Sequence, residues 1–93
     1  MDQIIKETII TRKEEIAFAD MDGEIVMMNL EKGNYYNLGK TGSVVWNMLE
    51  KPISVETLIQ DLLEKYYVTR QQCEEEVLFF LNELKKEGLI IIR

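Results

Sequence analysis

Histidine is absent from the chain, and with it the commonest general base and the commonest neutral metal ligand. A single thiol, Cys73, permits no internal disulfide. No stretch approaches the roughly 18 consecutive apolar residues of a membrane span. The opening MDQIIKETII lacks a basic segment ahead of an apolar run, so no secretory signal is expected. Together these absences predict a cytoplasmic chain in a reducing compartment, with no cofactor and no membrane partner. Basic residues are also scarce, 11 against 17 acidic ones, for a formal net charge of −6. They are scattered, whereas nucleic-acid binders carry a basic footprint. Nucleic acid is therefore not an expected partner.

What is present is enough apolar material, 46% of 93 residues, for one core in a single domain over residues 1–93. A roomy catalytic cavity in addition is not expected. The first half reads as strands. Ile16 and Phe18 alternate to one face, Asp22-Gly23 signals a hairpin, and residues 24–30 form a second strand. On it Ile25 and Met27 face one way, and Val26, Met28 and Leu30 the other. Residues 31–34 form a second turn, and Tyr35 to Leu38 a third, short strand. The result is an antiparallel meander. Residues 8–12 read as an extended lead-in without a defined partner.

The second half reads as helices. Gly39 to Gly42 make a turn, after which Val44, Val45, Met48 and Leu49 recur at helical spacing, with Trp46 at the edge of that face. Pro52 stops this helix. Ser54 caps a second, with its apolar stripe from Val55 to Tyr66. Thr69-x-x-Gln72 is a capping box for a third, with the stripe Cys73, Val77, Phe80, Leu81 and Leu84. Glu87-Gly88 ends it, and Leu89 to Ile92 form a last strand-like run. The final two helices and this run have the look of a winged helix-turn-helix.

Few residues invite chemistry. Gly39-Lys40-Thr41 ends like a phosphate-binding loop, but the spacing back to Gly33 is one residue too long, and residue 34 is asparagine. Asp20-x-Asp22-Gly23 hints at a calcium loop, but position 29 is Asn29, not glutamate. Glu74-Glu75-Glu76 suits the positive end of a helix dipole. Cys73, on an apolar face, reads as a small buried hydrophobe. Met27 and Met28 read as core filling, although they point to opposite faces.

The informative excess is Leu78 and Phe79. On a helical wheel both lie outside the core stripe, Leu78 beside Glu74, Leu81 and Lys85. A Leu78→Asp change is thus expected to leave the fold intact. The third strand is last in its meander and should have a free edge. Free edges template the addition of an extended peptide, and Tyr35 and Tyr36 are of a type that rewards contact. Exposed edges also leave a homodimer open.

The ordered series Tyr35-Tyr36-Asn37-Leu38, Gly42, Val45-Trp46, Leu49, Ser54-Val55-x-x-Leu58 and Val77-x-x-Phe80-Leu81-x-x-Leu84-x-x-x-Gly88-Leu89-Ile90 resembles the PqqD-like family over residues 8–92. The resemblance implies a RiPP recognition element of α+β fold, a three-stranded antiparallel sheet packed on a three-helix winged helix-turn-helix. It implies a peptide chaperone, not an enzyme. The partners would be the leader region of a ribosomally synthesised precursor peptide and a downstream leader protease or modifying enzyme. The short, free-standing form is most similar to the discrete proteins of lasso-peptide biosynthesis. Radical-SAM peptide and PQQ-type pathways are the alternatives, and a winged-helix regulator is a further one. Carried over by position, the peptide would meet Tyr35, Tyr36 and Asn37 on the strand. Glu74, Leu78, Leu81 and Lys85 would form the helix wall, and Met28 and Leu30 the floor.

Overall fold

The computed structural model describes residues 3–14, 16–29 and 33–93. The elements run β1 (Ile9–Arg12), β2 (Ala17–Met21), β3 (Glu24–Asn29), β4 (Asn34–Asn37), α1 (Gly39–Met48), β5 (Ile53–Ser54), α2 (Val55–Lys65), α3 (Arg70–Lys86) and β6 (Ile90–Ile92). Among the described residues the fold is α+β, with three helices and two three-stranded antiparallel sheets in the orders β2-β3-β4 and β5-β1-β6.

The meander forms as its alternation predicts. Met21 pairs with Glu24 across the Asp22-Gly23 turn, where both φ angles are positive, 58° and 87°. A two-residue hairpin turn of this kind matches the twist of its strands. The Asp20 carboxylate accepts from the Gly23 N–H at 2.8 Å and fixes the turn. Ile25 and Met27 are fully buried, while Val26 and Met28 are half-buried on the opposite face.

The lead-in segment finds its partners in the second sheet. β1 pairs with β5 and β6, with Ile10 opposite both Ile53 and Ile92. The two apolar runs near the ends of the chain thus satisfy each other's backbone, and among the described residues neither pairs with β4. The two-residue strand β5 carries no periodic signal of its own.

Two expectations about α1 change. Gly39 to Gly42 are its first turn, because Asn37 accepts from the Gly39 N–H at 2.8 Å and starts the helix directly after β4. Trp46 is wholly buried rather than at an edge, since sheet β2-β3-β4 covers that side: the Phe18 ring meets it edge-on at 5.9 Å. The other caps are as read. Ser54 accepts from Thr57 N–H and Thr69 from Gln72 N–H, each at 3.1 Å. Gly88, at φ 73°, closes α3 with paired bonds from Gly88 N–H to Lys85 and from Leu89 N–H to Leu84.

Leu78 is a correction. It packs half-buried against the core instead of standing clear of it, while Phe79 is 60% exposed. The Leu78 side of α3 starts at Arg70 and Glu74, and Arg70 bridges to Glu56 in the first turn of α2. The neighbouring helix therefore covers this shoulder.

Two outcomes follow. Leu78→Asp should cost about 2 kcal/mol of folding stability in urea denaturation, because the charge would be partly desolvated against apolar neighbours. Wild-type stability would mean the shoulder faces water. The hydrogen bond from Arg70 holds the Glu56 carboxyl below its ordinary 4.5. Its contribution is present above that value and is lost as pH falls through the lowered folded value. Glu56→Gln should lessen the stability lost between neutral pH and about pH 3.

Candidate functional site

β4 is an outer strand, paired only with β3 among the described residues. The Leu38 N–H donates to Ile25 C=O at 2.9 Å. Backbone groups in an antiparallel ladder alternate inward and outward, so Tyr36 turns its own to β3. Tyr35 and Asn37 turn theirs to the open edge.

The two tyrosines bracket that edge. Tyr36 lies opposite Met27, on the face towards the helices. Its hydroxyl donates to Glu87 Oε1 at 2.6 Å, just past the end of α3, and accepts from Asn34 Nδ2 at 3.3 Å. Tyr35 lies opposite Met28 on the outer face and is 69% exposed. β4 is thus tied to α3 on one side and offers an amphipathic ring on the other.

Directly beyond β4 an apolar cavity of about 340 Å³ opens between α1, the end of α2 and α3. Leu38, Val45, Leu62, Val77 and Phe80 line it, and Glu76 supplies its one carboxylate. Gly42 lets the Phe80 ring lie against α1. A Cβ there would meet Phe80 Cε1 at 3.1 Å and Leu38 Cβ at 3.2 Å. Cys73 also borders the cavity, and burial pushes its thiol pKa up.

The structure brings Met28, Tyr35, Tyr36 and Asn37 together at the edge. Leu30 lies outside the described residues. On the side towards α1 and β4, Phe80 of α3 lies against Gly42 and Leu38, Glu76 borders the cavity, and Glu87, just past the helix, receives the Tyr36 hydroxyl. Glu74 is engaged by Arg70, Leu78 packs on the core, Leu81 is fully buried, and Lys85 is exposed on the last turn. Both shoulders of the core stripe hold partly buried apolar residues, Leu78 on one and Phe80 on the other, so the wheel alone does not separate them. The signal that separates them is Gly42, the only glycine that clears space for a ring. Glu87 had no local signal at all, since it acts through a tyrosine 51 positions away.

Among the described residues no group of three or more acidic, cysteine or histidine side chains is placed to hold a metal ion. No described helix is long and apolar enough to cross a membrane. Cys73 should be alkylated by iodoacetamide at pH 8 on the order of tenfold more slowly in the folded chain than in urea, since the thiolate is disfavoured and shielded. Equal rates would show the cavity to be open to reagent.

The family model of coenzyme PQQ synthesis protein D (PqqD) matches residues 24–90. No curated protein sequence matches the chain. A solved structure of TbiB1 in complex with the TbiA(beta) leader peptide is similar at TM-score 0.77 and 28% identity, over 86% of this chain and 93% of that one. One of lasso peptide synthetase B1 complexed with the leader peptide is similar in fold at TM-score 0.76 and 24% identity, over 88% and 96%. With the family model spanning both the open strand and the helix that flanks it, the chain belongs to the PqqD family.

Proposed function

We propose that this chain is a leader-peptide recognition domain of a lasso-peptide pathway. It would bind the leader of a ribosomally synthesised precursor by strand addition to β4 and deliver it to a separate leader protease. We read residues 1–93 as one PqqD-like domain whose helices and β5-β1-β6 sheet form a winged helix-turn-helix. The observation that carries the proposal is the open β4 edge beside an apolar cavity, in a chain similar to a protein solved with a leader peptide.

The physics is direct. An added strand bonds to the outward groups of Tyr35 and Asn37 and gains sequence-independent affinity. Its side chains alternate, so every second one falls towards Leu38 and Phe80. A cavity of about 340 Å³ has room for an aromatic or branched aliphatic side chain. The Tyr36–Glu87 bond holds the strand against α3 before the peptide arrives, which reduces the ordering required on binding. We assign the contacts to Met28, Tyr35, Tyr36, Asn37, Leu38 and Phe80, with Leu81 supporting the wall from beneath. The domain itself is read as a binder, not a catalyst.

Fluorescence anisotropy with synthetic leaders from precursor genes beside this one tests the proposal, sub-micromolar and sequence-dependent binding being the expected result. Tyr35→Pro, which removes an outward N–H, should weaken binding roughly tenfold beyond Tyr35→Ala, equivalent to about one hydrogen bond. Phe80→Asp should weaken it by on the order of 2 kcal/mol, since a charge would meet the apolar anchor. Wild-type affinity in Tyr35→Pro would exclude strand addition at β4. No binding of any leader by the folded chain would exclude the function.

A further inference from the structure

β2 is the other outer strand of the meander, two strand spacings or roughly 10 Å from β4. All five of its residues are exposed, and among the described residues nothing pairs with its outer side. A cleft of about 610 Å³ runs beside it, lined from β1, β2, α1 and the end of the chain. In an acidic protein this cleft gathers three cations, Arg12, Lys13 and Arg93.

Arg12 is the unusual group. Its guanidinium carbon lies 5.2 Å from the centre of the Phe18 ring and 5.3 Å from that of Trp46. Arg12 is half-buried, and the one hydrogen bond of its guanidinium among the described residues is a long one, 3.5 Å, to the Trp46 carbonyl. Glu14 and Glu50 border the same cleft, yet neither pairs with it. A guanidinium stacked on aromatic faces keeps its fork of N–H donors at the edge, in the geometry that accepts a carboxylate with two bonds. Partial burial has removed some of its hydration, and among the described residues no carboxylate forms an ion pair with it. Beside it, Phe18 is 43% and Ile91 41% exposed.

We propose that an acidic, extended segment of a protein partner docks in this cleft along β2, with a carboxylate received by Arg12 and an apolar neighbour resting on Phe18 and Ile91. Charge favours the place: its lining carries three cations against two carboxylates, Glu14 and Glu50, whereas the chain as a whole has 11 basic and 17 acidic residues. The site is separate from the β4 edge and does not depend on the reading given to that edge. Two polypeptides can occupy the domain at once, one on each side of the sheet.

The test is a nitrogen-15 NMR titration of the full chain with an acetylated, amidated peptide Glu-Phe-Glu-Ile-Glu, and with its Lys-Phe-Lys-Ile-Lys counterpart. Shifts should cluster at Arg12, Phe18, the Trp46 indole and Ile91 for the acidic peptide alone, and should shrink as salt is added. Arg12→Gln, with a folded spectrum, should bind at least tenfold more weakly. Should that variant unfold, Arg93→Gln at the exposed end of the chain should still weaken binding severalfold. The proposal is overturned by no shifts up to about 5 mM peptide, by equal shifts with the lysine peptide, or by shifts confined to Tyr36 and Phe80. It is also overturned if the cleft signals move on dilution of the chain alone, which would assign the cleft to a second copy.

Discussion

The seam between α1 and β3 fixes everything that borders it. β4 passes into α1 through Leu38 alone, so strand and helix cannot be positioned separately. At the turn β4 leaves the ladder, and the Ile25 N–H would lose its acceptor inside the core. Ser43 solves this: its buried hydroxyl accepts from Ile25 N–H at 2.6 Å and donates to the Gly39 carbonyl. A buried donor left unmade costs roughly 1–3 kcal/mol, so this one hydroxyl stitches sheet to helix where the open strand ends. Trp46, one helical turn further on, fills the space behind it with no exposed surface.

Much of this was legible in the sequence because local chemistry dictates it. Alternation sets the meander, Asp22-Gly23 its first turn, and Ser54 and Thr69 the helix starts, since each acts within a few residues of itself. What the sequence leaves open has a different cause. Gly39 to Gly42 look like a loop, and only the Asn37 side chain reveals a helix start. The rotation of α3 depends on which shoulder meets α1 and which meets α2, and an amphipathic wheel with apolar residues on both sides does not say. The pairing of β1 with β6 joins the two ends of the chain, where spacing carries no information about partners.

Within the candidate site the same division holds. The outer position of the strand that carries Tyr35 and Tyr36 follows from strand order alone. Phe80 was assigned wholly to the core, while the structure gives it a second role as a cavity wall. Glu87 was read as part of a helix end, yet it holds the hydroxyl of Tyr36. Such long-range pairs turn a bare strand edge into a surface with a definite shape, and they arise only once the helices have packed.

The cavity beyond β4 lies on one side of the sheet only, and under the proposed strand addition this would make the edge a reader of phase. Backbone pairing along a strand is indifferent to which residue it holds, so it allows a guest to slide. A slip of one position exchanges the two faces of the guest completely. Apolar side chains that had filled the space beside Phe80 would then point into water, and polar ones would be forced in. A slip of two restores the faces but moves the anchor past the pocket by nearly 7 Å. An edge built in this way selects parity and spacing in an extended chain ahead of the identity of most of its residues.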